Sequence, residues 1–165
     1  MRSVFVSLIT AVLVSAALSG QTKPASRSTV QGVWRVAEVV TTGPGASTNS
    51  KPQPGLYIFT AKHYSIVRVD ADKPRPNEPQ DLTKASASEL AAAWEPFTGQ
   101  AGTYEQAGGN LTVRPLAAKN PTVMASGSFT TYSYTLDGDA LTLIPKTNKA
   151  GPVANPTTYK LTRVE

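Results

Sequence analysis

Beyond residue 30 the chain breaks into short apolar runs separated by turn-forming residues at intervals of about ten, the spacing expected of hairpin-connected strands. Val33 to Val40 has the β-branched and aromatic content of a strand, and Gly43-Pro44-Gly45 ends it near Thr41. Gly55 to Thr60 and His63 to Val69 are two further strand-like runs separated only by Ala61-Lys62, which predicts a hairpin. A polar stretch with Pro74, Pro76 and Pro79 follows, and then the period changes. From Thr83 to Ala93 the composition turns helical: Ser86 and Glu89 have capping-box spacing, Leu90 and Trp94 lie one turn apart, and Pro96 closes the segment. Short strands resume at Gly102–Gln106, Leu111–Leu116, Ser128–Leu136, Leu141–Ile144 and Thr157–Val164, with Gly108-Gly109 and Asp137-Gly138-Asp139 as turns.

These runs predict an all-β fold: an eight-stranded antiparallel up-and-down barrel with one short helix between strands 3 and 4. Eight strands is the number at which a closed barrel holds side chains or one small ligand. Ahead of the barrel, Arg2 precedes an apolar run from Val4 to Leu18 that ends in small residues, the form of a cleaved secretory signal. The run is shorter than the roughly 20 residues that cross a bilayer. The expected organisation is a signal peptide over 1–20, a flexible leader over 21–29 and one barrel domain over 30–165. An exported protein, periplasmic or secreted, with no stable membrane anchor after cleavage follows from that reading.

The absence of cysteine removes disulfides, thiolate nucleophiles and Cys-type metal sites, so the domain must be held by core packing. The formal net charge of +5 is modest, and its Lys and Arg residues are scattered rather than gathered in a stripe, which argues against a nucleic-acid partner. No Gly-x-Ser-x-Gly elbow, Walker loop or Gly-x-Gly-x-x-Gly run is present, so hydrolase and nucleotide readings lack support. No cofactor is implied, and a monomer or weak dimer is expected.

Gly32-Val33-Trp34 on the first strand, with Arg163 on the last, resembles the lipocalin signature, in which a first-strand Trp closes one barrel end beneath a last-strand Arg. The longer series Gly55-Leu56-Tyr57-Ile58-Phe59-Thr60, His63-Tyr64-Ser65, Ala101-Gly102-Thr103-Tyr104-Glu105, Gly138-Asp139-Ala140-Leu141-Thr142-Leu143 and Leu161-Thr162-Arg163 resembles the bacterial lipocalin-like domain family of small calycin-type barrels. The resemblance spans about Val30 to Glu165. It implies a barrel with an internal cavity and carries no agreed ligand or reaction. On physical grounds a guanidinium stacked on an indole is favourable by about 0.5 to 2 kcal/mol and would tie the first strand to the last. Gly32, Trp34 and Arg163 are therefore assigned to barrel closure.

If Trp34 points inward, alternation places Val36, Glu38 and Val40 on the inner face and Arg35, Ala37 and Val39 outside. Glu38 would then need a partner such as Arg68, Arg114, Lys160 or a tyrosine hydroxyl. His63 is the sole histidine, so a two-His metal site is excluded and imidazole acid-base chemistry would rest on it alone. Six tyrosines, most of them on strands, would give a cavity apolar walls with a few hydroxyls, although cross-strand aromatic pairs also serve packing. The candidate cavity set is Glu38, Tyr57, His63, Tyr64, Arg68, Tyr104, Arg114, Tyr132 and Tyr134, with no residue assigned to catalysis or to a metal.

The leading expectation is a carrier or sensor that binds a small, mostly apolar or amphipathic molecule in the barrel, with Asp70 to Gln100 as a lid or side wall. Two alternatives stand beside it. One is a structural or interaction barrel filled by its own side chains; the other is a barrel enzyme, an isomerase, cyclase or hydrolase, using Glu38 and His63.

Overall fold

The computed structural model describes residues 29–165; the expected signal peptide over 1–20 and nearly all of the expected leader over 21–29 lie outside the described residues. Among the described residues ten strands form one antiparallel sheet. They are β1 (Gly32–Thr41), β2 (Ser47–Asn49), β3 (Gly55–Phe59), β4 (His63–Val69), β5 (Phe97–Ala107), β6 (Asn110–Ala118), β7 (Thr130–Asp137), β8 (Ala140–Asn148), β9 (Gly151–Pro152) and β10 (Thr157–Arg163). Neighbours run β10-β1-β3-β4-β5-β6-β7-β8, and β10 also pairs with β8, so eight of the strands close into a barrel. The short β2 pairs only with β1, over Val39–Thr41, and β9 pairs with the far end of β8. Closure removes the unpaired edges that an open sheet of this length would expose.

The helix α1 (Ala87–Trp94) follows β4 rather than lying between the third and fourth strands. The difference arises from β2: its Ser47-Thr48-Asn49 has no apolar pattern, yet it hydrogen-bonds to the end of β1. The cap of α1 forms as the sequence predicts. Ser86 Oγ accepts from the Glu89 backbone N–H while the Glu89 carboxylate accepts from the Ser86 N–H. Thr83 and Lys84 instead form a turn around the Asp81 carboxylate, so the helix starts later than composition alone predicts.

Several strands also run further than their apolar patterns. β6 carries Pro115 within it, as the sequence pattern predicts, and β8 continues through Pro145, before which the pattern ends its strand because proline cannot donate to the ladder. Both prolines sit beside register shifts: Gly102 faces Pro115 while Ala101 faces Ala117, and Tyr132 faces Pro145 while Thr131 faces Thr147. Each shift is a bulge that leaves the residue after the proline, Leu116 or Lys146, without a partner on the facing strand, and bulges are places where a sheet tolerates proline. A side chain at Gly102 would collide with the Arg114 carbonyl, so the first of these bulges requires glycine there.

The core fills the Trp34 end of the barrel. Trp34, Tyr57, Phe59, Tyr64, Ile66, Leu111, Val113, Leu141, Leu143 and Leu161 are buried, and Val30 packs beneath them. Trp34 Nε1 donates to the Val30 carbonyl at 2.7 Å, and the Arg163 guanidinium lies 4.0 Å from the indole centroid. Arg163 then donates to the Gln31 and Thr29 carbonyls at 2.6 and 2.8 Å. Its Nε is 3.2 Å from Asp139 Oδ1 but not in line for a hydrogen bond. Arg163 on β10 thus stacks on Trp34 of β1 and also holds the backbone ahead of β1. Gly32 adopts φ +134°, and a Cβ there would meet the Glu165 carbonyl and the Arg163 side chain.

Candidate functional site

The strand phase of β1 changes at a bulge. Val36 faces Leu161 and Glu38 faces Lys160, so Ala37 is the extra residue and every position after it is turned over. Val39 packs against the core, whereas Glu38 pairs with Lys160 Nζ at 2.6 Å beside the buried Leu161. Glu38 therefore lies on the outer face, not in the cavity. Burying a carboxylate costs free energy that an exposed ion pair avoids.

The other candidates divide by position. His63 is exposed at the β3–β4 turn, its N–H donating to Thr60 Oγ1, and it does not line the barrel interior. Arg114 is also outside, paired with Glu105 at 3.2 Å and lying over the Phe129 ring. Odd-even alternation on β6 puts Leu111 and Val113 inward and so turns Arg114 outward. Tyr104 is buried at the closed end, donating to the Thr60 carbonyl at 2.6 Å and stacking edge-on against Phe59. Tyr134 packs against the core and accepts a hydrogen bond from Gln106. Tyr64 is buried too, and its hydroxyl has no hydrogen-bond partner among the described residues.

Tyr57, Arg68 and Tyr132 come together where the core gives way to the open end. Gly55 faces Arg68 across the β3–β4 ladder, and a Cβ at Gly55 would press on Val36 and on the Cβ of Arg68, so glycine makes room for the long side chain. The Arg68 side chain is only 16% exposed. Its Nε donates to Asp70 Oδ1 at 2.7 Å, its Nη1 to the Tyr57 hydroxyl at 3.3 Å, and its guanidinium covers the Tyr159 ring at 4.7 Å. Tyr159 in turn lies 5.9 Å from Tyr57, and Thr98 Oγ1 donates to the second Asp70 oxygen at 2.7 Å.

Electrostatics follow from this burial. Burial opposes the charge on Arg68, but the oxygens of Tyr57, Tyr159 and Asp70 more than offset it and raise its pKa, so the guanidinium stays protonated. Burial likewise raises the hydroxyls of Tyr57 and Tyr159 and pushes Tyr132 up to about 12, with Arg68 pulling each of them partly back. At neutral pH the group is one cation among neutral phenols, with one carboxylate beside it.

Two clefts adjoin this ion pair. One, of about 300 Å³, is bounded by Val39, Thr41, Asp70, Thr157 and Tyr159. The other, of about 310 Å³, is bounded by Arg68, Phe97, Thr98, Gln100 and Lys119. Lys119 is not a free cation, because its Nζ donates to the Trp94 and Glu95 carbonyls at the C-terminus of α1. Among the described residues no group of His, Cys, Asp and Glu is placed to hold a metal ion.

Asp70, Thr98 and Tyr159 were not singled out by the sequence reading. Tyr159 had a usable signal, since it shares a strand face with Leu161 and Arg163. Asp70 reads as the first residue of a polar loop. Thr98 lies in the part of β5 that the pattern misses, because Phe97 to Ala101 holds one large apolar residue among small and polar ones and follows a helix directly.

A closed eight-stranded barrel with a Trp–Arg lock at one end and a polar, tyrosine-lined mouth at the other defines a lipocalin-like domain. A family model described as a lipocalin-like domain matches residues 31–158, and the chain belongs to that family. No curated protein and no solved structure matches the chain.

Proposed function

We propose that this is an exported small-molecule binder that takes an amphipathic ligand at the open end of its barrel, with the ligand's polar end directed at Arg68. The observation that carries the reading is the setting of Arg68. A largely buried guanidinium stands at the junction of core and mouth with two of its N–H groups engaged, by Asp70 and Tyr57. A guanidinium carries more donors than these, and those are available to an oxygen-bearing ligand in the adjoining cleft. The site suits a ligand more polar, and held higher in the barrel, than a wholly apolar molecule, because Trp34, Phe59, Tyr64 and their neighbours already fill the lower half. That filling also supports, in part, the alternative of a barrel packed with its own side chains. The enzyme reading loses its acid-base pair, since Glu38 stands on the outer face of β1 and His63 at the closed-end turn. Export rests on the Arg2-to-Leu18 sequence pattern.

Native mass spectrometry of protein expressed with its residues 1–20 tests the binding reading. The wild type is expected to carry a small molecule that Arg68→Met loses while keeping its circular dichroism spectrum. An empty wild-type barrel that also takes up no added amphiphile would favour the filled interaction barrel instead.

A further inference from the structure

We infer that the ligand's polar end is a carboxylate, and that Asp70 occupies its place in the free protein as a displaceable internal counter-ion. This inference rests on the reading of the mouth as a binding site and specifies its chemistry. Asp70 already shows how a carboxylate sits there, one oxygen on Arg68 Nε and the other on the Thr98 hydroxyl, each at 2.7 Å. Charge-assisted bonds of this kind are the short and strong ones.

The two halves of the pair differ in freedom. Arg68 is on a ladder strand, walled by Tyr57 and Tyr159, and has nowhere else to place its charge. Asp70 is the first residue beyond β4 and 41% exposed. Its backbone N–H is fixed to the Pro96 carbonyl at 2.7 Å, so release requires only rotation of its side chain into water. A solvated carboxylate loses little by leaving a partly exposed pair. The cation cannot leave, so the position that opens is an anion's position. An incoming ammonium would have to expel Arg68, and a neutral amide would leave the guanidinium without a full counter-charge.

The pair also reaches both clefts, since Arg68 and Thr98 line one and Asp70 the other. When Asp70 swings out, the apolar body of a monocarboxylic acid has Val39 and Tyr159 of the adjoining cleft as walls.

Chemical-shift titration of the purified protein with octanoate, octanamide and octylamine tests this, because the three share one chain and differ in head-group charge. Octanoate is expected to bind at least about tenfold more tightly than either of the others, with shifts centred on Arg68, Thr98 and Tyr159. Asp70→Asn removes the competitor while keeping the shape, and is expected to tighten octanoate about tenfold and leave octanamide unchanged; Arg68→Met is expected to abolish octanoate binding. If octanamide or octylamine binds as well as octanoate, or if Asp70→Asn weakens octanoate, the carboxylate assignment is overturned and the mouth remains a binding site. If none of the three binds, the binding reading falls with it. Should Arg68→Met fail to fold, the three-ligand series and Asp70→Asn still decide the matter.

Discussion

At the Trp34 end of the barrel the strands are joined by tight turns: residues 60–62 link β3 to β4, Gly108-Gly109 links β5 to β6, and Gly138-Asp139 links β7 to β8. At the opposite end the connections are long, over residues 42–54, 70–96, 119–129 and 149–156, and they carry β2, α1, a 3-10 turn at Pro121–Met124 and β9. The side chains follow the same division. The closed end is packed with aromatic and aliphatic groups under a Trp–Arg lock, while the open end presents Arg68, Asp70, Thr98 and Tyr159 beside clefts. A rigid, locally connected end supplies stability, and loops on a fixed scaffold are free to carry binding groups.

The two tryptophans offer the sharpest way to break this comparison. Trp34 is fully buried, and Trp34→Ala is expected to cost about 3 to 5 kcal/mol, the usual loss for a large core aromatic. Trp94 is 44% exposed, touches Phe97 edge-on and donates to Glu78, so Trp94→Ala is expected to cost about 1 kcal/mol. Chemical denaturation of both variants measures the difference. Equal losses would mean that the loop end is as structurally committed as the closed end.

The buried tyrosines provide a second, smaller contrast, read through pH. Tyrosine in an unfolded chain titrates near 10, while burial holds Tyr132 up to about 12 and raises Tyr57 and Tyr64 as well. Raised pKa values mean that the folded protein keeps these protons after the unfolded chain has lost them. The stabilisation is therefore complete below about pH 10 and is lost between about pH 10 and 12, by on the order of 2 kcal/mol for Tyr132 alone. Unfolding free energies measured across that range, with tyrosinate absorbance of the folded protein alongside, check both sign and window. A decline already evident by about pH 8 would show that other groups control alkaline stability.

Much of the closed end is legible in the sequence because its signals are local: Trp34 and Arg163 at the two ends of the domain, strand-length runs, and glycine turns. The capping box of α1 is legible for the same reason. The open end is harder to read because its determinants are bulges and long-range pairings. Pro145 looks like a strand end until the bulge beside it is seen. Asp70 gains meaning only when β5 brings Thr98 across the ladder from Arg68. On β1 hydrophobicity does not decide the phase, since Val39 and Val40 are both apolar and either fits inward. Glu38 held the one available clue, because an acid on an inferred inner face argues for a change of phase before it.

That position gives the smallest effect and tests where the two halves of the barrel meet. With Glu38 outside and paired to a half-exposed Lys160, Glu38→Gln is expected to destabilise the fold by no more than about 0.5 kcal/mol, and by still less at high salt. Octanoate binding at the mouth is expected to be unchanged, since the substituted group does not face Arg68. Were Glu38 inside the barrel instead, neutralising it would remove a buried charge near Arg68 and shift both stability and affinity well beyond that range. Denaturant midpoints at low and high salt, with the octanoate titration repeated on the variant, separate these cases. They thereby test whether the bulge at Ala37 turns the inner face of β1 over from the packed end to the open one.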